Sequence, residues 1–574
     1  MLTAIKEIGE IVTVKEKNID GKVLTIMLDN EQTYLGIEIE DYDSEKVNKY
    51  LYKEGASKGN APSPFCPITE PIKSFKKLDN WLKKCVDMCS NEEESNKYFI
   101  SKIYKMIRKN ESDISEDLRS KINEIPKKTS KFLTIKIDRK FLGEYDIFRK
   151  CVDSFAEEKR KKSASVGTCS VCGKFDTEVS GKTDVFKFYT IDKRGFITGG
   201  FNESHAWKNF PVCIECKSLL ENGKKFIDTK LNFKFDGLNF KFDGLNYYLI
   251  PRLLIGSKDI LKEILEIMSD TNKVISLKKR IKKRITSDEN EILEYLSEIK
   301  DILTINFLFL RREQSAERIL LLIEDVLPSR IKKIFEAKDR VDNIFIEEFN
   351  FGRIRIFFSK SDEGKKENDL NKYFLEIVDS VFKGKRLDFS FIVKFYMAVI
   401  RKEFIKDRYF SSRVKDALMS TIFFENLGLI TFEEVKDMEE SIFSSIFGRY
   451  GKSLSSSVKR GIFLMGSLTQ LLLNKQWSER NSKSFMKKLK GLKMDEKDIK
   501  ALLSEVQNKL EEYDAFDKGK RAIASEISKY FLEAGEGWKM SVDEINFYFA
   551  CGMNLASDVA SIVYKKENII DKEE

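Results

Sequence analysis

The residue pattern predicts an α+β chain, with a mixed N-terminal part, a β-rich middle and a mostly α-helical C-terminal half ending in a helical bundle. Three observations carry this. Proline, at 8 of 574 residues, and glycine, at 29, are too sparse for an all-β chain full of tight turns. Hydrophobic residues make up 42%, enough for real cores and too many for a disordered chain. Apolar spacing also changes along the sequence: strand-like runs come early, and three-and-four spacing dominates after about Leu253.

Length suits roughly three or four domains. Composition and pattern divide the chain at 1–160, 161–252, 253–425 and 426–574. In the first part, Ile11–Val14 and Val23–Leu28 read as strands split by a turn at Asn18–Gly21. Tyr50–Thr69 is crowded with glycine and proline and reads as a loop. Ile72–Cys89 and Asn96–Arg108 have helical spacing, Phe132–Ile137 reads as a strand, and the basic run Lys159–Lys162 as a linker or helix end. In the second part, Phe186–Thr190 and Gly195–Thr198 are strand-like. Asn232–Leu238 and Asn239–Leu245 both read NFKFDGL, a local duplication that lengthens a hairpin or loop, since a solenoid needs several longer repeats.

In the third part, Leu261, Ile264, Leu265 and Met268 share a helix face, and Ile319, Leu322 and Ile323 continue the helical theme as far as Pro328. Ile354–Phe358 interrupts it as a brief strand. In the last part, Ile499, Leu502, Leu503, Val506, Leu510 and Tyr513 fall on one helix face, and Ile545, Phe549, Met553, Ala556 and Val559 on another. Ser541 and Glu544 have capping-box spacing. Pattern and cap agree, which predicts a separable bundle.

Composition also excludes functions. A single histidine, His205, rules out histidine-pair metal nucleases, H-E-x-x-H proteases and three-histidine zinc sites. Gly181–Thr183 (GKT) and Gly451–Ser453 (GKS) lack the earlier glycine of a Walker A loop. Glu298 and Lys300 have the E-x-K spacing of some nucleases, but on a charged stretch where chance supplies such pairs. A net charge of +9, from 102 basic and 93 acidic residues, permits a polyanion partner without demanding one. The start MLTAIKEIGE is not a signal peptide, and the longest apolar run, near Ile462–Leu473, is too short to span a bilayer. A reducing cytoplasm is therefore expected, with cysteines as thiols or metal ligands.

Four of the nine cysteines form two C-x2-C pairs, Cys169/Cys172 and Cys213/Cys216. Two such turns close a tetrahedral Zn²⁺ site. Four thiolates leave no open position for water or substrate, so the expected role is structural rather than catalytic. Gly173 follows the first pair and suits the tight turn of a knuckle. Cys66, Cys85, Cys89, Cys151 and Cys551 form no second constellation, and His205 is expected to be a structural or surface residue.

These segments resemble the large subunit of the type I-B CRISPR Cascade complex. The similar pieces are CSVCGK at Cys169–Lys174, FYTIDKRGFITGGF at Phe188–Phe201, KNFPVCIECKSLLENGKKFI at Lys208–Ile227 and YYLIPRLL at Tyr247–Leu254. Near the C-terminus GWKMSVDEINFYFACGMNLA, Gly537–Ala556, is also similar, with weaker likeness at VLPSRI, Val326–Ile331, and at KYLYK, Lys49–Lys53. The tandem heptapeptide departs from the family's usual single copy.

The resemblance implies a non-catalytic subunit of an RNA-guided antiviral surveillance complex. It would assist recognition of the flanking motif, opening of target double-stranded DNA and recruitment of a separate helicase–nuclease. Its partners would be the crRNA-containing Cascade subunits, both backbone and small. It also implies a free small subunit made from an internal start, with Met438 preferred and Met419 next. Basic residues suited to phosphates are Lys278, Lys279, Arg280, Lys282, Lys283 and Arg284, and a second group containing Lys487 and Lys488. The candidate for reading base edges is the Tyr50–Thr69 loop, through Lys53, Lys58 and Asn60. The alternatives are a stand-alone metal-dependent nuclease and a zinc-ribbon scaffold of another nucleic-acid machine.

Overall fold

A computed structural model gives the fold of residues 1–12, 20–29, 31, 33–51, 62–88, 94–161, 163–183, 185–189, 195, 197–198, 200–235, 245–269, 301–312, 317–362, 364–366, 368–406, 408–432 and 441–570. The chain forms two compact units, Leu2–Phe226 and Ile227–Glu574, with Met1 grouped in the second. The class is α+β, and the C-terminal half is mostly helical, as the pattern predicts.

The first unit opens with α1 (Leu2–Ile11), followed by β1 (Gly21–Leu28), β2 (Tyr34–Asp41), α2 (Val47–Tyr50) and β3 (Cys66–Pro67). Three helices come next, α3 (Pro71–Met88), α4 (Glu94–Lys109) and α5 (Glu111–Asn123), then β4 (Ser130–Ile137), β5 (Lys140–Phe141) and α6 (Asp146–Lys161). β1 pairs parallel with β4, from Gly21↔Ser130 to Leu28↔Ile137. A parallel pair needs a crossover, which α3–α5 supply. Alternate residues serve the two faces. Leu24, Ile26, Leu133 and Ile135 pack with Leu78, Leu82, Ile103 and Ile107 of the helices. Val23 and Phe132 join Tyr42, Tyr50, Phe65 and Phe141 on the other face, where Phe65 stacks 5.0 Å from both Tyr50 and Phe132.

The strand expected at Ile11–Val14 does not begin at Ile11, which is the last residue of α1; its neighbours Thr13 and Val14 lie outside the described residues. A small antiparallel sheet follows, β6 (Ala164–Gly167), β7 (Thr177–Ser180) and β8 (Val212–Cys213), leading into α7 (Ile214–Lys230). The expected strand at Phe186–Thr190 is instead a turn over its described part, with the Tyr189 N–H donating to the Phe186 carbonyl at 3.4 Å. Phe186 and Phe188 stack at 4.7 Å, and among the described residues no strand pairs with them.

The second unit contains a four-stranded antiparallel sheet in the order β12-β11-β10-β9, made of β9 (Asn232–Phe235), β10 (Leu245–Leu253), β11 (Leu303–Arg312) and β12 (Glu317–Val326). The duplicated heptapeptide falls in the β9–β10 hairpin, as a local duplication should: the first copy supplies β9, and β10 starts at Leu245, the last residue of the second. Residues 236–244 between them lie outside the described residues. Ile319, Leu322 and Ile323 belong to strand β12 and not to a helix. The run ILLLI satisfies either period, and the buried strand LTINFLFL beside it supplies the ladder that decides.

The helices of this unit are α8 (Lys258–Ser269), α9 (Pro328–Phe345), α10 (Phe351–Arg355), α11 (Asn371–Lys383), α12 (Phe389–Lys406), α13 (Phe410–Asn426), α14 (Ser444–Arg449), α15 (Ser457–Arg480), α16 (Glu496–Glu512), α17 (Lys518–Ala534), α18 (Val542–Asn554) and α19 (Ala556–Ile570). Ile354–Phe358 is helical, not extended: it ends α10 and continues as a 3-10 turn that buries Ile354, Phe357 and Phe358. α15 is the bundle's central helix, packed against α16–α19. The run Ile462–Leu473 lies within it, and no helix among the described residues is long and apolar enough to cross a membrane.

α18 packs on α12 and α13 as well as on α15, with Phe547 5.8 Å from Phe389 and 6.0 Å from Tyr396 between ring centroids. Ile499, Leu502, Val506 and Leu510 are buried on one face of α16. Ile545, Phe549, Met553, Ala556 and Val559 are all buried, but the helix is interrupted at Leu555 between α18 and α19, so they span two helices. The capping box holds: the Ser541 hydroxyl accepts from the Glu544 N–H (3.2 Å), and the Glu544 carboxylate accepts from the Ser541 N–H (2.9 Å). Met438 lies outside the described residues, and Met419 is buried in α13.

Candidate metal centre

The two cysteine pairs meet because the small sheet brings them together. Cys169 and Cys172 lie in the turn between β6 and β7. The Gly173 N–H donates to the Cys169 carbonyl (2.9 Å), and the Cys169 N–H to the Lys174 carbonyl (3.0 Å), closing a knuckle. Gly173 has φ +73°, a conformation that costs a side-chain-bearing residue about 1–2 kcal/mol. Cys213 ends β8, which pairs with β7 through Val179↔Cys213, and Cys216 lies in the first turn of α7. Two further bonds join the pairs: the Ser170 N–H donates to the Pro211 carbonyl (2.8 Å), and the Cys213 N–H to the Cys169 sulfur (3.4 Å).

The four Sγ atoms lie within 4.8 Å of one another, with Cys172 and Cys213 3.9 Å apart. Cys169, Cys213 and Cys216 are buried, and Cys172 is exposed. Four soft donors at this spacing, three of them shielded from water, can hold a metal ion.

Burial pushes the Cys169 thiol up, but backbone N–H groups of Cys172, Cys213 and Val171 outweigh it and bring it down to about 7. Burial pushes Cys213 up to about 11 and Cys216 further still. Near pH 8, without a cation, Cys213 and Cys216 therefore keep their protons. A metal that takes all four sulfurs as thiolates must displace at least these two. Affinity then rises with pH, and the metal is lost as the solution is acidified. Titrating metal-free protein with metal in weakly buffered indicator at pH 8 should release two protons or more per ion; release of none would exclude thiolate ligation.

Cys66, Cys85, Cys151 and Cys551 are buried elsewhere, and Cys89 lies outside the described residues. His205 sits on a 3-10 helix, Glu203–Lys208, and is not in the cluster. Lys53, Lys58, Asn60, Lys278, Lys279, Arg280, Lys282, Lys283, Arg284, Glu298 and Lys300 lie outside the described residues. Lys487 and Lys488 are exposed on the 3-10 helix Ser484–Leu489. Part of that basic group is already compensated, since Lys488 is 3.1 Å from Glu505 and Lys490 is 2.5 Å from Asp498. Exposed pairs of this kind contribute little and yield readily to a phosphate.

The GKS turn has an occupant that the sequence did not announce. Glu425 accepts the Lys452 N–H at 2.7 Å, placing a carboxylate where a phosphate-binding turn would hold its ligand. At GKT, a Cβ on Gly181 would lie 2.3 Å from the Ala206 carbonyl oxygen, so that glycine serves close packing.

Family models of three consecutive domains match the chain, and together they define a CRISPR-associated protein. The N-terminal domain of CRISPR-associated protein TM1802 matches residues 1–153, its central domain residues 166–326 and its C-terminal domain residues 349–567. The chain belongs to this family. All four clustered cysteines fall within the central-domain match. No curated protein matches the chain.

Proposed function

We propose that the chain is the non-catalytic large subunit of a type I-B CRISPR surveillance complex, acting in the cytoplasm. It would work with crRNA-bearing backbone and small subunits, assist flanking-motif recognition and opening of target double-stranded DNA, and recruit the helicase–nuclease. The observation that carries this is the match to all three domains of one CRISPR-associated family. The closed set of four sulfurs supports a structural ion, and Zn²⁺ is the ion proposed. Tetrahedral Zn²⁺ with bonds of about 2.3 Å separates sulfurs by about 3.8 Å, close to the 3.9 Å between Cys172 and Cys213. When bound, the ion would tie the β6–β7 turn to the start of α7. The four cysteines would hold it, three of them buried and Cys172 on the exposed side.

Co-expression with crRNA and the other Cascade subunits should yield a complex that retains this chain through size exclusion; failure to co-purify would overturn the assignment. The pure chain should bind double-stranded DNA weakly, with affinity falling steeply in salt. Neutralising Lys278–Arg284 should flatten that slope. Reproducible cleavage with Mg²⁺ or Mn²⁺ that follows the protein through further purification would instead favour a nuclease.

A further inference from the structure

We propose that metal binding at the four-cysteine site is coupled to docking of the N-terminal helix α1, so that loss of the metal releases α1 and loss of α1 weakens the metal. This rests on the metal-site reading above.

α1 and α7 cross backbone to backbone. A Cβ built on Gly9 would lie 1.9 Å from the Leu219 carbonyl oxygen, and one on Gly223 would lie 2.0 Å from the Ile5 carbonyl oxygen. The contact is reciprocal, one glycine from each helix meeting a carbonyl of the other. A crossing made of side chains can follow a small shift by changing rotamers. One made of main chain cannot, so it reports the position of α7 directly.

That position is set at the metal. Cys213 immediately precedes α7 and Cys216 lies in its first turn, so an ion on these sulfurs fixes the end from which Leu219 and Gly223 follow. α1 has ten residues, below the length at which an isolated helix holds in water, and it depends on burying Ala4, Ile5, Ile8 and Gly9. Pairing 5 with 223 and 9 with 219 makes the helices antiparallel, which turns the C-terminal end of α1 toward the cysteines. Lys6, 2.5 Å from Glu10, has its pKa raised above the usual ammonium value, first by Glu10 and to a lesser extent by Cys216 and Cys172. A tetrathiolate zinc carries two net negative charges, and a nearby ammonium favours it. Coupling is reciprocal by linkage.

Hydrogen exchange on the full chain, with zinc bound and after chelation, tests the first half. Stripping should lower protection across Leu2–Ile11 while the paired strands β1 and β4 keep theirs. Retained α1 protection in protein shown to be metal-free would overturn the proposal. Gly9→Val, which leaves every cysteine in place, tests the second half. It should expose α1 and weaken zinc about tenfold in competition with a chromophoric chelator. An exposed α1 with wild-type zinc affinity would overturn it. If stripping unfolds the whole unit, the variant decides; if the variant misfolds, stripping decides. Zinc stoichiometry in the unaltered chain, measured first, separates failure of the site from failure of the coupling.

Discussion

Cys213→Ser should take the metal from one ion per chain to none and destabilise the Leu2–Phe226 unit by more than about 4 kcal/mol, a range reached by losing a metal or a core network. Structural zinc supplies roughly 10–16 kcal/mol in small zinc-binding peptides, and that binding energy is folding energy. Here the surrounding structure offers little to replace it. The sheet β6-β7-β8 pairs only two residues of β8, Val212 and Cys213, with β7. Cys213 is itself buried, so serine also leaves a hydroxyl without water. Elemental analysis, thermal unfolding and the map of first proteolytic cuts should agree, with cuts opening between β6 and α7. Cys85→Ala, in the helical layer of the N-terminal sheet, should cost stability through its small cavity and keep the metal. A Cys213→Ser protein with one bound ion and unchanged melting would show that the cluster is not the site.

The four-cysteine cluster was legible in the sequence because a C-x2-C turn is local chemistry, and two of them need only be brought together. Long amphipathic helices were legible for a similar reason: α3, α4, α16 and the Ser541 cap each satisfy rules written within a few residues. Short apolar runs were not. Ile319–Ile323 and Ile354–Phe358 carry no period that distinguishes strand from helix, and the answer lay in the surroundings: β11 pairs with the first, and among the described residues no strand pairs with the second. The turn at Phe186–Tyr189 failed for the same reason, since aromatic residues that look strand-like need a ladder partner. Glu425 at the GKS turn and Lys6 near the cysteines were invisible because their partners are remote in sequence. Glycines inside helices were the one available signal for close crossings. A helix interior penalises glycine, so Gly9, Gly223, Gly466 and Gly552 each ask for a packing reason.

Gly552→Ala should destabilise the C-terminal bundle by at least about 2 kcal/mol, although alanine is the better helix former. Propensity alone favours the substitution by about 1 kcal/mol. Against it stands the crossing of α15 and α18. A Cβ on Gly552 would lie 1.8 Å from the Phe463 carbonyl oxygen, and one on Gly466 2.0 Å from the Phe549 carbonyl oxygen. Neither obstacle is a side chain that can rotate away, so the helices themselves must separate. Separation would also stretch the bond from the Ser467 hydroxyl to the Gly552 carbonyl (2.9 Å), and would open the contacts of an almost wholly buried α18. Overpacking in a core that can adjust costs about 1–3 kcal/mol, and a main-chain obstacle belongs at or above the upper end. The clash therefore outweighs the gain in propensity. Gly448→Ala supplies the contrast, because its Cβ would meet nothing within 4 Å in α14, and it should be neutral or slightly stabilising. Urea unfolding of the two variants should move the midpoint in opposite directions, or move only that of Gly552→Ala. A Gly552→Ala midpoint at or above the wild-type value would mean that the two helices do not touch through their backbones.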